Sequence, residues 1–240
     1  LDLTTPDGNH IVSDFDTLTS AAKLDSVYFR REDIEGHLPD QVKLGIQFYA
    51  DISGTPEDSK YYRLLATETF EYHTRFPRIW WYNGALHHEI PPDSSRMFCW
   101  KTTRIPEIFT INAEQLSEIN FREFELHYVD NQSWRLAVGY SLLVEEHSLS
   151  KAAFRYWDQQ KQNSVQEGGL YEKQPVSVTG NLHNLTHPEK EVLGYFGAST
   201  VHEKRIFVAP IPDLPLFYTD YCDWYLLRKG LPEIKPPMYP

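Results

Sequence analysis

The chain has 240 residues, 41% of them hydrophobic and 14% aromatic, with 15 Tyr, 13 Phe and 6 Trp, a composition that can bury a core and favours strands over helices. Its formal charge of -11 argues against a nucleic-acid partner, which requires a basic footprint; Arg30-Arg31 and Arg228-Lys229 are isolated pairs. No stretch approaches the roughly 20 apolar residues of a membrane-spanning helix.

Residues 1–4 and 10–12 flank Pro6-Asp7-Gly8-Asn9 and read as a β-hairpin. A chain that opens at Leu1 inside a strand pattern reads as a piece of a longer precursor. A short strand follows over residues 24–29. In residues 41–49, Val42, Leu44, Ile46 and Phe48 alternate with Lys43, Gly45 and Gln47, the pattern of a half-buried strand. Residues 51–58 break that pattern and residues 61–70 resume it. Residues 76–103 are crowded with Pro, His and Trp and read as a long loop or insertion, a place where function often sits.

Residues 113–118 suggest a helical turn. Residues 122–129 alternate again and Asp130-Asn131-Gln132-Ser133 turns the chain. Trp134, Leu136, Val138, Tyr140, Leu142 and Val144 then form the longest alternating run, which predicts a hairpin. A helix is predicted over residues 150–162, capped by Ser148 or Ser150 and dense in Ala152, Ala153, Phe154, Tyr156 and Trp157. Beyond it come turns and strands, and from Pro210 a proline-rich end that cannot enter a sheet centre. The expectation is a mainly β protein, an antiparallel sandwich or barrel-like domain over residues 1–209 with one principal helix near 150–162. A tail over residues 210–240 would pack on it.

Catalytic grammar is sparse. Gly197-Ala198-Ser199-Thr200-Val201 lacks the second glycine of a nucleophile elbow, so Ser199 reads as a strand residue. His87-His88-Glu89 and His183…His187 are metal-ligand types without the H-E-x-x-H spacing. Asp51, Glu57 and Asp58 offer hard oxygens without the twelve-residue calcium loop. Glu145 and Glu146 are neighbours in a strand and so point to opposite faces, poor geometry for paired acid–base work. Cys99 and Cys222 form no C-x-x-C pair, against a redox motif or zinc knuckle. No catalytic residue, metal or cofactor is assigned. The aromatic run Trp80-Trp81-Tyr82, with Asn83 beside it, is the binding candidate. Flat rings stack on sugars or peptide side chains; contact with a partner protein and internal packing are the other readings.

Several segments are more idiosyncratic than their composition requires. They are Cys99-Trp100, Tyr140-Ser141-Leu142-Leu143-Val144, Tyr156-Trp157, Gly168-Gly169-Leu170-Tyr171 with Gln174-Pro175, Gly180-Asn181, and Val192-Leu193-Gly194-Tyr195-Phe196. On these residues the chain resembles a family of Bacteroidota outer-membrane lipoproteins grouped as domain of unknown function 4249. The resemblance implies a lipid-anchored protein at the cell surface, its anchoring cysteine lying before the residues seen here. It implies a non-enzymatic accessory or substrate-binding subunit of a TonB-dependent, SusC-like nutrient transporter, beside other surface lipoproteins. It carries over no catalytic residue, and residues 76–97 look specific to this chain. The alternatives are a secreted hydrolase acting on glycans or peptides, and a purely structural envelope protein. In an exported protein two cysteines also imply a Cys99–Cys222 disulfide.

Overall fold

A computed structural model describes residues 1–35, 42–74, 76–165 and 177–217. In chain order the elements are β1 (Asp2–Thr4), β2 (His10–Ser13), β3 (Lys23–Glu35), β4 (Val42–Gly54), β5 (Tyr61–His73), β6 (Arg78–Tyr82), β7 (Leu86–Asp93) and β8 (Phe98–Arg104). Then follow β9 (Phe109–Asn112), β10 (Ile119–Asp130), a single 3-10 turn at Trp134–Leu136, β11 (Gly139–Ser148), α1 (Lys151–Val165), β12 (Leu182–Asn184) and β13 (Val201–Val208). The fold is mainly β and antiparallel with one principal helix. Its sheets stay open and stack as in a sandwich instead of closing into a barrel.

β10, β4 and β3 form one sheet; β13, β11, β5 and β8 form the other, with β9 also on β5. Period-2 alternation gives each a hydrophobic face. Ile46, Phe48, Ala50 and Ile52 from β4 meet Tyr62, Leu64 and Ala66 from β5 and Tyr140, Leu142 and Val144 from β11. The Phe48 and Tyr140 rings stack across the gap at 5.5 Å. Strands β1 and β2 pair as expected, around a turn where Gly8 takes φ 84°, a conformation that costs a side-chain-bearing residue more than glycine. β12 adds to β2 to complete a small third sheet.

α1 lies on the far side of the five-stranded sheet. Ser150 caps it: its Oγ accepts from the Ala153 amide at 3.1 Å, satisfying a donor the first turn leaves free. Ala153 and Phe154 bury against Tyr61 and Leu149, with Trp157 and Tyr195 alongside.

Two expectations are corrected. The predicted hairpin of residues 122–144 does not form: β10 pairs with β4, while β11 pairs with β5 and β13 in the opposite sheet. Trp134–Leu136 is the 3-10 turn that carries the chain between sheets, and Leu136 plugs the core there. Residues 76–103 are not a loop, since β6, β7 and β8 occupy most of them. Of the proline-rich tail, residues 210–217 are described; Leu214 joins the core and the Phe217 amide donates to the Asn131 carbonyl at 2.8 Å.

Candidate functional site

β5 and β8 pair from Thr67↔Arg104 out to His73↔Phe98. The Thr74 amide donates to the Met97 carbonyl at 2.9 Å, and β6 then pairs with β7. β5, β6, β7 and β8 therefore extend one long antiparallel ribbon whose outer half, β6–β7, pairs with no other strand among the described residues. Its tip is residues 83–85, where Gly84 takes φ 108°, a backbone region open to glycine.

Alternation divides this arm into two faces. On one, Trp81 stacks on His87 at 4.1 Å and Asn83 Oδ1 pairs with His87 Nε2 at 2.8 Å. On that face too, Arg78 ion-pairs with both Glu89 and Asp93, each at 2.9 Å. Hydrogen bonds from Ser95 hold the Asp93 carboxyl below its ordinary range. On the other face Trp80 stacks on His88 at 4.2 Å, with Tyr82 opposite Leu86 and Ile90 in line. Exposure separates the two: Trp81 keeps 36% of its surface in water, against 54% for Trp80, 71% for Tyr82, 67% for Leu86 and 78% for Ile90. One face carries its own polar pairs, and the other is more exposed and mostly apolar.

The structure thus splits the predicted set. Trp80 and Tyr82 share the open face, whereas Trp81 and Asn83 sit on the paired face and hold the ribbon together. Leu86 and Ile90 were missed and His88 was singled out only as a metal-ligand type, although their i, i+2, i+4 spacing opposite Trp80 and Tyr82 is a strand signal. The three residues His87-His88-Glu89 point to alternate faces and are engaged as stacking and ion-pair partners. Among the described residues, no three His, Cys, Asp or Glu side chains converge as a metal site.

The remaining candidates fall elsewhere. His183 pairs with Asp14 at 3.0 Å and His187 with Glu189 at 3.2 Å. Asp58 closes its own turn, accepting from the Thr55 amide at 2.7 Å, and Asp51 accepts from Ser26 at 2.9 Å. Ser199 lies ahead of β13, not in a strand. Cys99 Sγ donates to the Arg96 carbonyl at 3.3 Å; its predicted partner Cys222 lies outside the described residues, as do Gly168 to Pro175. Gly180, from another of the motif segments, meets Gly194 so closely that a Cβ would lie 1.5 Å from the Gly194 carbonyl oxygen. Beside that crossing, Asn181 brackets Phe196 by two hydrogen bonds of 2.7 and 2.9 Å.

Fold and site define a β-sandwich protein with an exposed aromatic arm. The chain belongs to the family described as Domain of unknown function (DUF4249), whose profile matches residues 1–205. Neither the curated proteins nor the solved structures include a match to it.

Proposed function

We propose that this protein is a non-enzymatic, lipid-anchored accessory subunit of a TonB-dependent outer-membrane nutrient transporter, exposed at the surface of a Bacteroidota cell. It docks to the transporter through the β6–β7 arm. The observation that carries this reading is the apolar face of Trp80, Tyr82, Leu86 and Ile90, left open on a ribbon whose other face carries its own stacking and ion pairs. Clustered exposed aromatics of this kind are the usual anchors of a protein interface.

The test is co-purification of the transporter with the native protein from outer membranes. The double variant Trp80→Ala/Tyr82→Ala is expected to lose the transporter while keeping the wild-type circular-dichroism spectrum. Trp81→Ala, on the paired face, is expected to retain most of it. Undiminished recovery of the transporter with the double variant rules out the arm as the docking surface.

A further inference from the structure

The face of the five-stranded sheet turned away from the core carries a cation without an ion-pair partner among the described residues. Arg63 of β5 and His147 of β11 are direct cross-strand partners. α1 and residues 195–199 cover them, leaving a cavity of about 260 Å³ lined by Arg63, His147, Ser199, Trp157, Tyr195 and Leu149, among others. The guanidinium lies over the Trp157 ring at 3.3 Å. Arg63 makes no ion pair among the described residues, and its Nε is buried without a hydrogen-bond partner. His147 Nδ1 pairs with Ser199 Oγ at 2.9 Å, while its Nε2 is also buried without a partner.

Buried N–H groups are nearly always satisfied. Two neighbouring half-buried residues that line one cavity each leave a buried nitrogen without a partner, an unmet demand for an acceptor. Neither nearby carboxylate pairs with Arg63 or His147: Asp16 lines the cavity and accepts from the amides of Thr17 at 3.0 Å and Ala198 at 3.4 Å, and Glu145 acts on His147 only through its charge. Arg104 adds a second positive charge close enough to act on both Arg63 and His147. Burial lowers the Arg63 guanidinium to about 10, so it keeps its charge at neutral pH.

We propose that this cavity binds the carboxylate of a small organic acid with an apolar body. Arg63 supplies the planar donor fork that matches a carboxylate. When the Ser199 hydroxyl donates to His147 Nδ1, Nε2–H is free to donate as well. Leu65, Leu149, Ala153 and Trp157 offer an apolar wall for the rest of the molecule. A compact phosphate dianion would leave that wall unused and find few donors. Among the described residues no carboxylate hydrogen-bonds the His147 imidazole, so Ser199 and His147 lack the orienting third member of a catalytic triad. The site is separate from the arm and independent of its role, so a docking subunit would also carry a small-molecule ligand.

The test is isothermal titration of the folded chain with benzoate as probe, benzamide as its neutral isostere, and inorganic phosphate. Benzoate is expected to saturate, with benzamide and phosphate at least about tenfold weaker. Arg63→Met is expected to lower benzoate affinity by at least about tenfold, and Trp80→Ala to leave it unchanged. In the unaltered protein, benzoate should shift the Trp157 indole N–H resonance, a readout that requires no variant to fold. Equal binding of benzamide, tighter binding of phosphate, unchanged affinity in Arg63→Met, or an unmoved Trp157 resonance each overturns the proposal.

Discussion

The arm and the helix-covered cavity are built from the same residue types and end with opposite needs. Both combine Trp, His and Arg, on paired strands in the arm and on two strands and α1 in the cavity. In the arm, Arg78 finds Glu89 and Asp93, His87 finds Asn83, and apolar surface is left over. In the cavity, Trp157 is covered by Arg63, and polar atoms of Arg63 and His147 are left over. Solvent access accounts for the difference. In water, polar groups are satisfied by neighbours or by the solvent, so the residual demand is for apolar cover. Away from water the apolar groups are content, so the residual demand is for hydrogen bonds and counter-charge.

Glu146 is the extreme buried case and gives the largest expected effect. It neighbours His147 in β11 but points to the core side, fully buried, with neither carboxylate oxygen hydrogen-bonded. His202 Nδ1 stands 4.0 Å away and donates to the Ala22 carbonyl at 2.7 Å. Burial first, then the charge of Asp58, raises the Glu146 carboxyl to about 8 from its ordinary 4.5. The folded state therefore holds a proton that the unfolded state has lost across that interval. The sign follows: Glu146 disfavours folding progressively as pH rises from about 4.5, and the penalty is complete above about 8. Its size is roughly 4 to 5 kcal/mol. Urea unfolding between pH 5 and 9 should show stability falling, and Glu146→Gln should flatten the fall. A wild-type profile that is already flat would mean the carboxyl finds a partner.

Arg63→Met is the next largest expected effect, and it sharpens the same contrast. It removes an unpaired, desolvated charge and keeps an unbranched side chain over Trp157, so it should stabilise the fold by about 1 kcal/mol. Arg78→Met on the arm removes a paired cation and should not stabilise. Thermal unfolding of the two variants distinguishes them; equal shifts would mean that Arg63 is no worse satisfied than Arg78.

Much of the scaffold was legible because alternation and capping are local. Val42 to Phe48 announced β4, and Ser150 announced α1. Sheet membership was not legible. β10 and β11 alternate just as a hairpin would, and alternation states which residues face inward without stating from which sheet. Leu136 read as a strand residue because it continues the alternation, yet it is buried from a 3-10 turn. The arm was hidden for a related reason: Pro91 and Pro92 and the run of aromatics read as irregular, although an edge-only ribbon tolerates proline. Trp80 and Tyr82 were found by their chemistry. Arg63 and His147 were not, and Ser199 was set aside as a strand residue, since the three lie far apart in sequence and only strand register and the path of residues 195–199 bring them to one cavity.

The smallest expected effect tests the division of the arm itself. Trp81 and His87 form a directly opposed, stacked pair, and such cross-strand pairs contribute roughly 0.2–1 kcal/mol. Trp80 and His88 stack as well, but on the open face, where Trp80 keeps more than half of its surface in water. Trp81→Ala should therefore loosen the ribbon more than Trp80→Ala, and neither should move global unfolding by more than about 0.5 kcal/mol, because no core element rests on the arm. Amide hydrogen exchange reads this directly. Residues of β6 and β7 should exchange faster in Trp81→Ala, with β5 and β11 unchanged. If Trp80→Ala frays the ribbon equally, the two faces are equivalent in holding it together and the open one is not set aside for a partner.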